Sequence, residues 1–163
     1  QIISMFCVCI TLGGRLLLDV GPKEDGTLDE RQEKVLLDLG SWIHDHEEAV
    51  YGTGKGLSYH QFLGGSTISG DQETLYLIVY DKPLETVCVK GLKTPVKRVT
   101  VLHSGEELSF RYTGALPWSG IPGTLWIGAQ HMQLHPFATV LKVELEGKIT
   151  YNLGHGEAVT NND

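Results

Sequence analysis

An α/β segment followed by an all-β antiparallel sandwich is the architecture this 163-residue sequence predicts, on three observations. Leu16, Leu17, Leu18 and Val20 form a nearly continuous apolar run bounded by turn residues, the pattern of a strand covered on both faces in a parallel sheet. Val35, Leu36, Leu39, Trp42 and Ile43 recur at i, i+1, i+4, i+7 and i+8, one stripe of an amphipathic helix. From about residue 57 the pattern changes to short period-two runs separated by Gly, Pro, Asp and Ser.

Taken in order, Ile2, Ile3, Phe6, Cys7, Cys9 and Ile10 surround most of a helical circumference, which predicts the end of a buried helix over residues 1–12, stopped by Gly13-Gly14. RLLLDV (15–20) is the expected strand and GPKEDG turns the chain after it. Thr27-Leu28-Asp29-Glu30 reads as a capping box, with Thr27 accepting from the third helical amide and Glu30 reaching back. The helix is expected over 28–47, its wet side carrying Arg31, Glu33, Lys34, Asp38 and Asp45. Asp29 and Glu30 at its positive end, with His44 and His46 near its negative end, suit the dipole.

The glycines of YGTGKG (51–56) predict a linker. Strands are expected in TLYLIVY (74–80), ETVCVKG (85–91), KRVTVLH (97–103), ELSFRYT (107–113), TLWIGA (124–129) and ATVLKVEL (138–145). LSYHQFL and STISG are weaker candidates, which brings the sandwich to about eight strands over residues 57–146. After Tyr151, NLGHGEAVTNND has no apolar pattern and is expected to dangle or pack loosely.

A net charge of −7 supplies no basic field for a phosphate backbone, which argues against nucleic acid. No stretch is apolar for the ~20 residues of a membrane helix, and the first residues lack the basic start and cleavage site of a signal peptide. The chain begins at Gln1 rather than Met, so export is left open. Cys7, Cys9 and Cys88 are too few and too unevenly placed for a disulfide framework, and a C-x-C pair on a helix diverges; they read as small buried apolar residues.

GGRLLLDVGPKEDGTL, then EEAVYGT after the helix, then LGGSTISGDQETLYLIVYDKP resemble the C-terminal end of the α-L-fucosidases of glycoside hydrolase family 29. The resemblance runs nearly to Glu146 and is most specific at 13–27 and 48–53. It implies that RLLLDV is the last strand of a TIM-type (β/α) barrel and residues 28–47 its last helix. Residues 1–53 would then end a catalytic domain, 54–151 form the sandwich and 152–163 a tail. The remainder of the barrel, or a second copy of this chain, is implied as the partner covering the strand. The helix of residues 1–12 is a further candidate to fold over its open face. The implied activity of the parent protein is retaining, exo-acting release of L-fucose from fucosylated glycans, with no cofactor or metal. A soluble protein in a secreted, periplasmic or lysosomal setting is implied as well. The family's nucleophilic Asp and its acid/base lie upstream of anything matched here, so the chain alone is expected to be inactive.

Retaining glycoside hydrolysis needs two carboxyl groups about 5–5.5 Å apart. By position, Asp19, Glu24 and Asp25 are the candidates near a barrel mouth, each with a structural alternative. Asp19 suits an acceptor for the Gly21-Pro22 turn; the family often has Asn there, so Asp keeps the acceptor and loses the donor. Asp25-Gly26 reads as turn chemistry. His44-x-His46 diverges on a helix and His131 with His135 sits near a loop, so both pairs are expected as surface or capping histidines rather than metal ligands. A second function class is a carbohydrate-binding module, for which Tyr59, Phe62, Trp118 and Trp126 are the available ring platforms. Trp126 is expected in the core, and Trp118, in the Pro117-Trp118-Ser119-Gly120 loop, is expected to be exposed.

Overall fold

The computed structural model describes residues 1–116, 118 and 120–152; residues 153–163, most of the expected tail, lie outside the described residues. Helix α1 spans Ile2–Thr11 and ends as the double glycine requires. The Gly13 amide donates to Ile10 O (3.0 Å) and that of Gly14 to Cys9 O (2.8 Å), with Gly13 at φ +78°. This paired closure needs a left-handed residue after the last turn, which glycine supplies without a Cβ clash.

Helix α2 spans Glu30–Asp45 and starts later than expected because a different residue caps it. Asp29 is extended and its Oδ1 accepts from the Arg31 amide at 2.9 Å. The Thr27 hydroxyl donates instead to Asp25 Oδ1 (2.7 Å), so it is committed to the loop and the expected capping box does not form. A short α3, Glu47–Val50, follows.

The expected strand at 15–20 is not formed: RLLLDV belongs to no β-ladder among the described residues, and Leu17 is 86% exposed. Nor does α1 cover it. Ile3 and Cys7 of α1 bury themselves with Trp42 of α2, and α1 runs beside the sheet. A Cβ on Gly65 would lie 2.8 Å from Thr11 Cγ2.

The strands are β1 (Thr53–Lys55), β2 (Gly65–Ser69), β3 (Thr74–Val79), β4 (Thr86–Val89), β5 (Val96–Val101), β6 (Phe110–Thr113), β7 (Thr124–Gly128) and β8 (Thr139–Leu145). They form a five-stranded sheet ordered β1-β2-β3-β8-β5 and a three-stranded sheet ordered β4-β7-β6, and every pairing is antiparallel. Part of the expected linker is therefore β1, with Thr53 opposite Ser69. LSYHQFL is a turn, in which the Gln61 and Phe62 amides both donate to Ser58 O.

Two hydrophobic regions share the larger sheet. Its inner face contributes Leu75, Leu77, Leu141 and Val143 to the sandwich core, opposite Val87, Val89, Leu125 and Ile127 of the smaller sheet. Its outer face presents Tyr76, Ile78, Ala138 and Val140 to Ile3, Cys7, Trp42 and Ala49 of the helices. Thus β3, expected as an ordinary period-two strand, is buried on both faces. Trp42 Nε1 donates to Ala138 O at 2.9 Å, and Glu48 Oε2 accepts from Tyr76 (3.0 Å) and Lys142 (2.6 Å), which ties α3 to the same sheet. His46, expected as a surface or capping histidine, is the C-cap of α2, with its Nδ1 2.8 Å from Trp42 O, but it is fully buried rather than at the surface, its ring 4.6 Å from that of Trp42. No helix among the described residues is long and apolar enough to cross a membrane.

Candidate functional site

Of the three candidate carboxylates, Asp19 lies within RLLLDV and Glu24 and Asp25 in the loop between it and α2, all of them exposed. The loop's shape comes from its own hydrogen bonds: the Gly26 amide donates to Lys23 O (2.9 Å), Lys23 N to Thr27 O (2.7 Å), and Gly26 takes φ +84°. Asp25 Oδ1 accepts from both the hydroxyl and the amide of Thr27 (2.7 and 3.0 Å). These bonds, the hydroxyl's first, hold its carboxyl below the usual carboxylate range. Asp25 is therefore an ionised turn acceptor at neutral pH, poorly matched to proton donation. Asp19 lines a hollow of about 270 Å³ with Leu18, Val20, Arg31, Val35 and Leu36, so the start of α2 and the extended segment share one apolar-walled recess. Glu24 stands at the loop tip.

Of the aromatic platforms, Trp118 is 83% exposed, as its loop position predicts. Tyr59 is also exposed and its ring lies 3.9 Å from that of His60, while Phe62 is buried in the sandwich core. Trp126 departs from the expected core position: it is half-buried, and its Nε1 donates to Thr113 Oγ1 at 2.7 Å. β7 alternates there, with Leu125 and Ile127 inward and Trp126 outward. A larger hollow of about 550 Å³ lies between Phe62, Leu63, Tyr80, Pro83 and Val87. Cys7 is buried, which pushes its thiol up to about 12, and Cys7, Cys9 and Cys88 form no disulfide. No group of three or more His, Cys, Asp or Glu side chains among the described residues is arranged to hold a metal ion.

Residues 1–48 match the family model described as "Alpha-L-fucosidase". A tissue α-L-fucosidase of Macaca fascicularis is 38% identical over 123 residues, covering 75% of this chain and 25% of that protein. The solved α-L-fucosidase isoenzyme 1 from Paenibacillus thiaminolyticus superposes with a TM-score of 0.74 at 26% identity, over 90% of this chain and 34% of that one. An α-L-fucosidase from Vibrio sp. strain EJY3 shares the fold at TM-score 0.78 and 21% identity, over 93% of this chain and 26% of that one. The fold of helices and antiparallel sandwich is thus one this chain shares with part of a class of glycoside hydrolases. Those hydrolases are the α-L-fucosidases, to which the chain is related over most of its length. The chain spans 11% to 27% of the length of the curated relatives it matches.

Proposed function

We propose that this chain is the C-terminal part of a retaining, exo-acting α-L-fucosidase. In this reading residues 1–53 are the last strand, loop and helix of its TIM-type barrel and 54–151 a β-sandwich that supports it. One observation carries the reading beyond kinship: the apolar run of residues 16–20 stands open in the isolated chain, with Leu17 exposed and Val20 partly so. Side chains of that kind, beside a partly exposed Val35 on α2, suit a segment whose ladder partners belong to the rest of a barrel. The partner is then the remainder of the barrel or a second copy, and the parent's substrates are fucosylated glycans in a secreted, periplasmic or lysosomal setting.

The chain alone carries no matched nucleophile or acid/base, so it is expected to show no turnover of an aryl α-L-fucoside above buffer, with an intact fucosidase as positive control. Turnover approaching that of the control would overturn the reading and would direct attention to Asp19, Glu24 and Asp25. The exposed Trp118 and Tyr59 support a second reading, a carbohydrate-binding module. Saturable millimolar binding of fucosylated glycans, lost in Trp118→Ala, would favour the module; flat titrations favour the supporting role.

A further inference from the structure

We propose that His46 and His103, packed with His135, form an acid-sensitive latch that holds the helices on the sandwich, closed while these two imidazoles are neutral and opened when they gain protons. The inference is independent of the catalytic reading. His46 follows the last residue of α2, His103 lies in the turn after β5, and His135 lies in the loop before β8. Three segments far apart in sequence thus close one seam, with ring centroids 5.1 Å (46 to 135), 5.3 Å (103 to 135) and 5.9 Å (46 to 103) apart.

The hydrogen bonds fix where the protons sit. His46 Nδ1 lies 2.8 Å from Trp42 O, and a carbonyl only accepts, so Nδ1 carries the proton and Nε2 is a bare lone pair. That Nε2 is buried without a partner, as is Nδ1 of His103. His135 Nδ1 accepts from the Phe137 amide (3.3 Å), which leaves its Nε2–H toward Asp45 Oδ2 at 3.4 Å. The acidic groups acting on the cluster are Asp45 from α2 and Glu106 from the turn after β5; one Glu106 oxygen already accepts from the Gln133 amide. Neither meets the buried Nε2 of His46 in a hydrogen bond.

Protonation of His46 and His103 would place two like charges 5.9 Å apart, one of them fully buried and the other partly so, where repulsion is screened less than in open water. Burial, ahead of the other histidines, already pushes His46 down to about 4 and lowers His103 as well. Both shifts are depressions, so the neutral seam is at full strength above the ordinary histidine value of about 6.5. It weakens as pH falls from there toward the folded value of about 4. Separating the helices from the sheet lets the rings protonate in water, so acid favours the open state.

The test is amide exchange of the full chain, corrected for intrinsic rates, at pH 7 and pH 4.5. The expected result is a loss of protection in α1 and α2 of roughly 100-fold, with β3 and β8 retained, since a ring that titrates more than two units low shifts opening by about that factor. In the double variant His46→Asn/His103→Asn, the side-chain amide introduced beneath α2 can still donate to Trp42 O but takes up no proton, so this pH dependence should flatten. An unchanged pH dependence in the folded variant would overturn the latch. Should the variant not fold, the native chain decides: an NMR titration in which His46 protonates at or above pH 6 without loss of α2 protection overturns it.

Discussion

At the scale of single residues, Trp42 is the largest fully buried side chain among the described residues, and it does two things at once. Its ring packs edge-on against Phe6 and beside His46, and its indole N–H satisfies the Ala138 carbonyl at the start of β8. Trp42→Phe keeps most of the apolar contact but leaves that carbonyl buried, so a loss of about 1–3 kcal/mol is expected in urea unfolding. Trp42→Ala adds a cavity and should cost about 3–5 kcal/mol. No loss in Trp42→Phe would mean that the hydrogen bond contributes nothing. Trp42 was legible from its place on the helical stripe. His46 stands on the same stripe one turn further on, at 35, 39, 42 and 46, and that continuation was the signal for its burial. Residue type argued the other way, because an imidazole is buried only when some local acceptor takes its N–H, here the Trp42 carbonyl four residues back.

At the scale of elements, what could be read was what local chemistry decides. The glycine stop after α1, the body of α2 and the period-two strands follow from backbone freedom and from one-sided burial. What could not be read depended on tertiary partners. The run at 15–20 has the composition of a doubly covered strand, but no strand among the described residues pairs with it, whereas β3 acquired two covered faces because helices happened to seat on its outer side. The GTGK stretch looked like a linker because glycine is a poor strand former; its pairing as β1 is imposed by β2. That imposition makes a prediction. A Cβ on Gly56 would run into the backbone oxygen of Ser66, whose hydroxyl also accepts from the Leu57 amide at 2.7 Å. Gly56→Ala must push this crossing apart and is expected to destabilise by about 1–3 kcal/mol. Gly54→Ala, with open space around the new methyl, should stay within about 0.5 kcal/mol in the same denaturant titration. Similar shifts for both would show that the approach at Gly56 relaxes freely.

For the whole molecule, the helical part leaves a set of apolar side chains uncovered. Leu12, Leu17 and Leu37 are each more than half exposed, and Met5, Val8, Val20 and Val35 are partly so. Burying one such side chain is worth about 1.5–3 kcal/mol, so their joint exposure is a strong drive toward any surface that can cover them. None of the three leucines belongs to either hydrophobic core, which separates their effect on association from their effect on folding. The isolated chain is therefore expected to self-associate with rising concentration in sedimentation at neutral pH, despite its net charge of −7. Leu17→Asp with Leu37→Lys should return it to monomer while changing urea stability, measured at a dilution where both are monomeric, by no more than about 0.5 kcal/mol per site. A native chain that stays monomeric at every concentration would mean that these side chains are covered within the chain. A large loss of stability in the variant would place RLLLDV inside the core as a paired strand, rather than open at the surface beside α2.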